Sequence, residues 1–120
     1  MLPNLHHQRY QEFLKALEQL QQTAAATQPD VPRLRQRFLS VQQFFQQQIV
    51  SLDAGDLAPE SEPRVRSYQT EISKQLRLLE VDVIFLQAAR QASTTQGRQR
   101  QTVDRIQTLQ RYCNEILQLN

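Results

Sequence analysis

The 120-residue chain has no tryptophan, one methionine, one cysteine and two glycines. Each shortage closes a route. A lone cysteine, Cys113, can form no intrachain disulfide, and a reducing compartment is the ordinary expectation. Two glycines are too few for the turns of a sheet protein, whereas 22 glutamines suit helices. The expected fold class is all-α. No apolar run approaches the ~18 residues of a membrane span, and the opening MLPNLHHQRY lacks the apolar core of a signal peptide. A cytoplasmic protein without a membrane span is the expectation. An excess of one charge is also missing: the net charge is +2, and the pI of about 9.0 reflects a small arginine surplus. No nucleic-acid partner is expected, because Arg98, Arg100, Arg105 and Arg111 point in different directions on a helix. The length suits a single helical domain, 1–120, able to bury a core unaided.

Catalytic groups are missing as well. The two histidines, His6 and His7, are adjacent and lie near the start, where an exposed, frayed end is the expectation. There is no Glu-x-x-His pair for a diiron bundle and no mid-helix histidine to carry a phosphoryl group. No glycine-rich phosphate loop occurs, and Ser, Cys and His show no nucleophile spacing. Asp53, Asp56 and Glu60 lack the alternating ligands of a calcium loop. The expectation is a protein that is not an enzyme, with no catalytic residues, no metal and no cofactor.

What is present is helical text. Leu5 to Ala24 places Tyr10, Phe13, Leu14, Leu17 and Leu20 on one face, with Asn4 available as a cap. TQPDVP, Thr27 to Pro32, breaks the pattern because proline lacks an N–H and restricts the residue before it. Asp30 is then placed to cap a second helix, Val31 to Leu52, whose core face carries Leu34, Phe38, Val41, Phe45, Ile49 and Leu52. Phe44 sits at the edge of that stripe, and Leu39 and Val50 fall well outside it. Asp53 to Pro63, rich in proline and carboxylates, reads as the main loop, with Ser61 as the next cap. STTQGRQR, Ser93 to Arg100, reads as a break centred on Gly97. A final helix from Arg98 to Leu119 buries Val103, Ile106, Leu109, Cys113, Ile116 and Leu117, so that Cys113 becomes an inert core residue.

The third helix, Glu62 to Ser93, is the unusual one. At ~1.5 Å per residue it would reach ~48 Å. Ile72, Leu76, Leu79, Val83 and Leu86 recur at steps of three and four, while Leu78, Val81, Phe85, Ala88 and Ala92 repeat the pattern about 180° away at ~100° per residue. Glu80 and Asp82 flank the stripes on opposite sides and so cannot act as an acid and base pair. VDVIF alternates like a strand, but Leu78, Leu79 and Leu86 fit only the helical period. The architecture expected is an antiparallel four-helix bundle with one long, two-faced third helix. Its second stripe is covered by other helices of the chain, by a second copy in a homodimer, or by a partner. Leu78, Val81 and Phe85 are the candidate protein interface, with Phe44 as an edge contact.

The phrases VQQFFQQQI (Val41 to Ile49), VRSYQTEISKQLRLLEVDVIFLQAARQ (Val65 to Gln91) and LQRYCNEIL (Leu109 to Leu117) together resemble the PatD proteins, small cyanobacterial factors that control heterocyst frequency. The resemblance spans nearly the whole chain. It implies an all-helical regulator of heterocyst differentiation and cell division that acts by binding the tubulin-like division GTPase FtsZ, without catalysis. It supplies no residue-level contact site. A competing reading of the residues alone is a helical chaperone that holds an amphipathic segment of a secretion or flagellar export substrate.

Overall fold

The computed structural model describes residues 2–119, and helices account for most of them. Helix α1 spans Asn4–Ala24, α2 Val31–Phe44, α3 Glu62–Ala88 and α4 Ala92–Leu117. A π-helical turn, Phe45–Ile49, prolongs α2, and a short 3-10 turn, Ala54–Asp56, lies in the loop that follows. No strand occurs among the described residues. VDVIF is helical throughout.

Short connections reverse the chain after α1 and α3, and each helix runs antiparallel to its neighbours in the order α1, α2, α3, α4 and back to α1. The Cys113 thiol reaches the Tyr10 carbonyl at 3.2 Å, while Gln99 reaches Ala24, which fixes α1 and α4 as antiparallel. The result is an elongated four-helix bundle, 50 × 19 × 18 Å along its principal axes. Packing is most extensive between α3 and α4 and between α1 and α4, and lightest between α2 and α3. That inequality leaves one seam of the bundle open.

One continuous core fills the centre. Tyr10, Phe13, Leu17 and Leu20 come from α1, and Leu34, Phe38 and Val41 from α2, with Phe45 and Ile49 from its π turn. Val65, Ile72, Leu76, Leu79, Val83 and Leu86 come from α3, and Ile106, Leu109, Cys113 and Ile116 from α4. Leu14, Val103 and Leu117 pack against its edge. The expected core faces of the four helices therefore turn inward, because period 3.6 forces those positions onto one side of each cylinder; the exception is Leu52, which lies beyond the π turn that ends at Ile49 and is only half-buried.

The ends of the helices show where local signals hold and where they yield. Asp30 accepts the Arg33 N–H at 3.1 Å and caps α2, with Pro32 in the first turn, where its missing N–H costs nothing. Asn4 is not a cap: Pro3 occupies that position, its carbonyl accepting the His7 N–H at 2.9 Å. Ser61 does precede α3, but its buried side chain makes no capping bond. At the far end of α1, Gln99 donates to the carbonyls of both Ala24 and Ala26, at 2.8 and 2.7 Å. One side-chain amide of α4 thus satisfies two carbonyls at an end of a helix that would leave them without partners.

The break between α3 and α4 differs from the expected one. It falls at Ala89, Arg90 and Gln91, with Ala89 and Gln91 extended, and Gly97 lies inside α4 with an ordinary negative φ. Accordingly α3 has 27 residues, about 40 Å, and Ala92 belongs to α4. The reason is tertiary. The buried stripe of α3 ends at Leu86 and that of α4 begins at Thr102, so chain continued to Ser93 would have nothing to pack on, whereas an early reversal brings Gln99 to the end of α1.

Candidate protein interface

The third helix does have two faces, and only one is covered within the chain. Ile72, Leu76, Leu79, Val83 and Leu86 are buried. On the outward side Leu78, Val81 and Phe85 retain 36%, 44% and 46% of their surface, and Ala88 is exposed. Ile84 is the most open at 53% and joins the same band one turn from Val81. Its angular position, between the two stripes, hid it from the sequence reading. Across the lightly packed seam, Leu39 of α2 is also exposed, and with Phe38, Val83 and Ile84 it lines a shallow groove of about 180 Å³ edged by Arg35 and Glu80. The apolar band of α3 therefore continues into a groove against α2.

Phe44 does not belong to this face. It is half-buried and turned towards α1, where its ring stacks on Phe13 at 6.3 Å between centroids with only 6° between planes. On the α2 cylinder it lies about 140° from Leu39 at 100° per residue. The structure thus brings Leu78, Val81 and Phe85 together and leaves Phe44 as an edge of the core.

Polar contacts hold α3 in this orientation. Asp82 is buried and accepts from Arg105 Nε at 2.8 Å, while Arg105 Nη1 donates to Gln75 at 3.2 Å. Asp82 is placed by its neighbours on α4; Glu80, two residues earlier, faces the α2 side. Lower down, Gln69 donates to the Tyr10 hydroxyl at 2.7 Å, and the rings of Tyr68 and Tyr112 meet at 6.0 Å. Rotation of α3 that would bury Val81 or Phe85 breaks all of these contacts. At the upper end the Arg98 guanidinium lies over the Phe85 ring, 4.4 Å from its centroid, a cation–π contact that leaves the ring half open to solvent.

Groups with chemical potential lie elsewhere and are shut in. Cys113 is fully buried, and desolvation pushes its thiol up to about 12; desolvation likewise pushes the Tyr10 hydroxyl up to about 12. His6 corrects the expectation of a frayed, exposed end: it is 2% exposed, and neither ring nitrogen has a hydrogen-bond partner among the described residues. A small cavity beside it is lined by Val50, Leu52, Leu57 and Val65. The signal was in the spacing, since His6 stands four residues before Tyr10 and so extends the stripe of Phe13, Leu17 and Leu20 by one turn. Among the described residues no three His, Cys, Asp or Glu side chains converge as metal ligands would, and no helix is long and apolar enough to cross a membrane.

The chain matches no family model, no curated protein and no solved structure. The candidate interface is therefore characterised by its own geometry: an outward apolar band on a helix whose rotation is fixed by buried polar contacts, next to a shallow groove.

Proposed function

We propose that the protein is a non-catalytic regulator of the PatD type, which binds the division GTPase FtsZ and alters its assembly by docking through the outward face of α3. The observation that carries the reading is the band of Leu78, Val81, Ile84 and Phe85, half-exposed on a helix that cannot turn to hide them. Large apolar side chains grouped on one face mark interaction sites more often than scattered ones do. Covering the exposed half of each is worth about 1 kcal/mol per side chain, enough for several kcal/mol before the costs of association. The resemblance of the Val41 to Ile49, Val65 to Gln91 and Leu109 to Leu117 phrases to the PatD proteins supports FtsZ as the partner and heterocyst frequency and cell division as the processes affected. The action is stoichiometric, with no turnover.

The test is co-sedimentation with polymerised cyanobacterial FtsZ, using the wild-type protein, Val81→Glu and Phe85→Glu. Wild-type protein should pellet with FtsZ, and both variants should remain in the supernatant with their helical circular dichroism intact. Failure of the wild type to pellet overturns the FtsZ reading. Loss of helicity in the variants would mean that the band is internal core. The groove between α2 and α3 favours one second reading, a helical chaperone for an amphipathic segment of a secretion or flagellar export substrate. Such a chaperone should ignore FtsZ. A second copy of the chain, forming a homodimer, is the remaining competitor for the same face.

A further inference from the structure

The apolar band on α3 has a charged border of nearly one sign. Lys74 and Arg77 are exposed one helical turn before Leu78 and Val81, on the same side of α3. Arg98 stands over Phe85 at the other end, and Arg35 edges the groove beside Leu39 and Ile84. Glu80 is the one carboxylate that edges the groove, since Asp82 is buried and held by Arg105. The only ion pairs among the described residues are Arg105 with Asp82 and Arg66 with Glu62. Among the described residues none of the four border cations forms an ion pair.

We propose that the occupant of this face is an acidic amphipathic helix of a partner protein, whose apolar ridge lies along Leu78, Val81, Ile84 and Phe85 and whose carboxylates meet Lys74, Arg77, Arg98 and Arg35. The inference rests on reading the band as a docking surface, as above, and adds the chemistry of what docks. Charge decides against a second copy. A two-fold contact centred on Val81 sets antiparallel helices so that Arg77 of each copy approaches Phe85 of the other, with Arg98 above it; a parallel contact sets Lys74 against Lys74. Either arrangement presses cation on cation, the kind of juxtaposition that excludes partners from an interface. Shape decides against an anionic lipid surface, because the band continues into a concave groove that a ridge of side chains fills and a flat bilayer does not. An amphipathic helix laid in a groove satisfies both the apolar and the ionic requirement.

The experiment uses the full chain and a short designed fluorescent peptide with leucines at spacings of three and four and glutamates beside them. Its controls are the same peptide with lysines for glutamates, a scrambled glutamate peptide, and phosphatidylglycerol vesicles. Fluorescence anisotropy should show binding of the glutamate peptide alone, weakened roughly tenfold between low and high salt as the border charges are screened. Val81→Glu should abolish it, and the double variant Lys74→Glu, Arg77→Glu should reject the glutamate peptide and admit the lysine one. Equal binding of the lysine or scrambled peptide, or binding to vesicles without binding to the peptide, overturns the inference. So does a light-scattering mass of twice the 14.1 kDa chain that Val81→Glu halves. The two proposals fail separately. FtsZ co-sedimentation lost in Val81→Glu but kept in the double charge variant overturns only the acidic partner, and peptide binding without FtsZ co-sedimentation overturns only the FtsZ reading.

Discussion

Asp82 and Arg105 show how much of the interface depends on a contact beneath it. The Asp82 side chain is 7% exposed and that of Arg105 19%, so both are largely withdrawn from water. Removal of Asp82 from such a pair leaves the Arg105 charge with only the Gln75 side-chain carbonyl and limited solvent to compensate it. Asp82→Ala should therefore lower the unfolding free energy in urea by about 3 kcal/mol, whereas the double variant Asp82→Leu, Arg105→Met should stay near wild type. The sequence marked Asp82 only as lying between two apolar stripes, because the arginine that claims it lies on another helix. His6 was misplaced for a different reason: as half of an adjacent histidine pair it looked like a polar flank, while its spacing from Tyr10 made it part of the core face. Leu78, Val81 and Phe85 were legible because helical period alone separates them from Leu79, Val83 and Leu86.

At the level of the helices, amphipathic period carried most of the information. All four helices follow their apolar stripes, and Asp30 and Pro32 open α2 as their chemistry requires. The reversal between α3 and α4 carried no such mark, since neither glycine nor proline lies at Ala89, Arg90 or Gln91. The visible breaker, Gly97, sits within α4 instead, and a methyl group added there would meet nothing within 4 Å. Glycine inside a helix is disfavoured relative to alanine through the entropy it loses on folding. Gly97→Ala should consequently raise stability by about 0.5–1 kcal/mol, seen as a higher thermal midpoint with unchanged helical circular dichroism. An unchanged or lower midpoint would mean that the glycine serves a contact outside the bundle.

For the molecule as a whole, the two most strongly perturbed groups, the Cys113 thiol and the Tyr10 hydroxyl, lie on the neighbouring helices α4 and α1. Burial pushes the Cys113 thiol from 9.0 to about 12 and the Tyr10 hydroxyl from 10.0 to about 12. Both are neutral when protonated, so below pH 9 the folded and unfolded chains hold the same protons at these positions. Above pH 9 the unfolded chain releases the thiol proton while the folded chain keeps it. Stability must then fall as pH rises, by about 1.4 kcal/mol per unit from Cys113, with Tyr10 adding its share above pH 10, until both ionise in the folded state near pH 12. Urea titrations at several alkaline pH values should show this decline, and Cys113→Ala should make it shallower. An identical slope in the variant would place the thiol in contact with water.

The antiparallel ring of helices also sorts the molecule into two poles. The start of α1, the end of α4 and the loop between α2 and α3 gather at one pole, where Leu2 and Leu119 close the core. The turn joining α3 to α4, with Phe85, Ala88 and Arg98 near it, belongs to the opposite pole. A fluorophore or surface tether carried on the first turn of α1 or the last turn of α4 therefore stands off from the apolar band of α3 along the length of the bundle, and the molecule can be held by one pole while that face stays open.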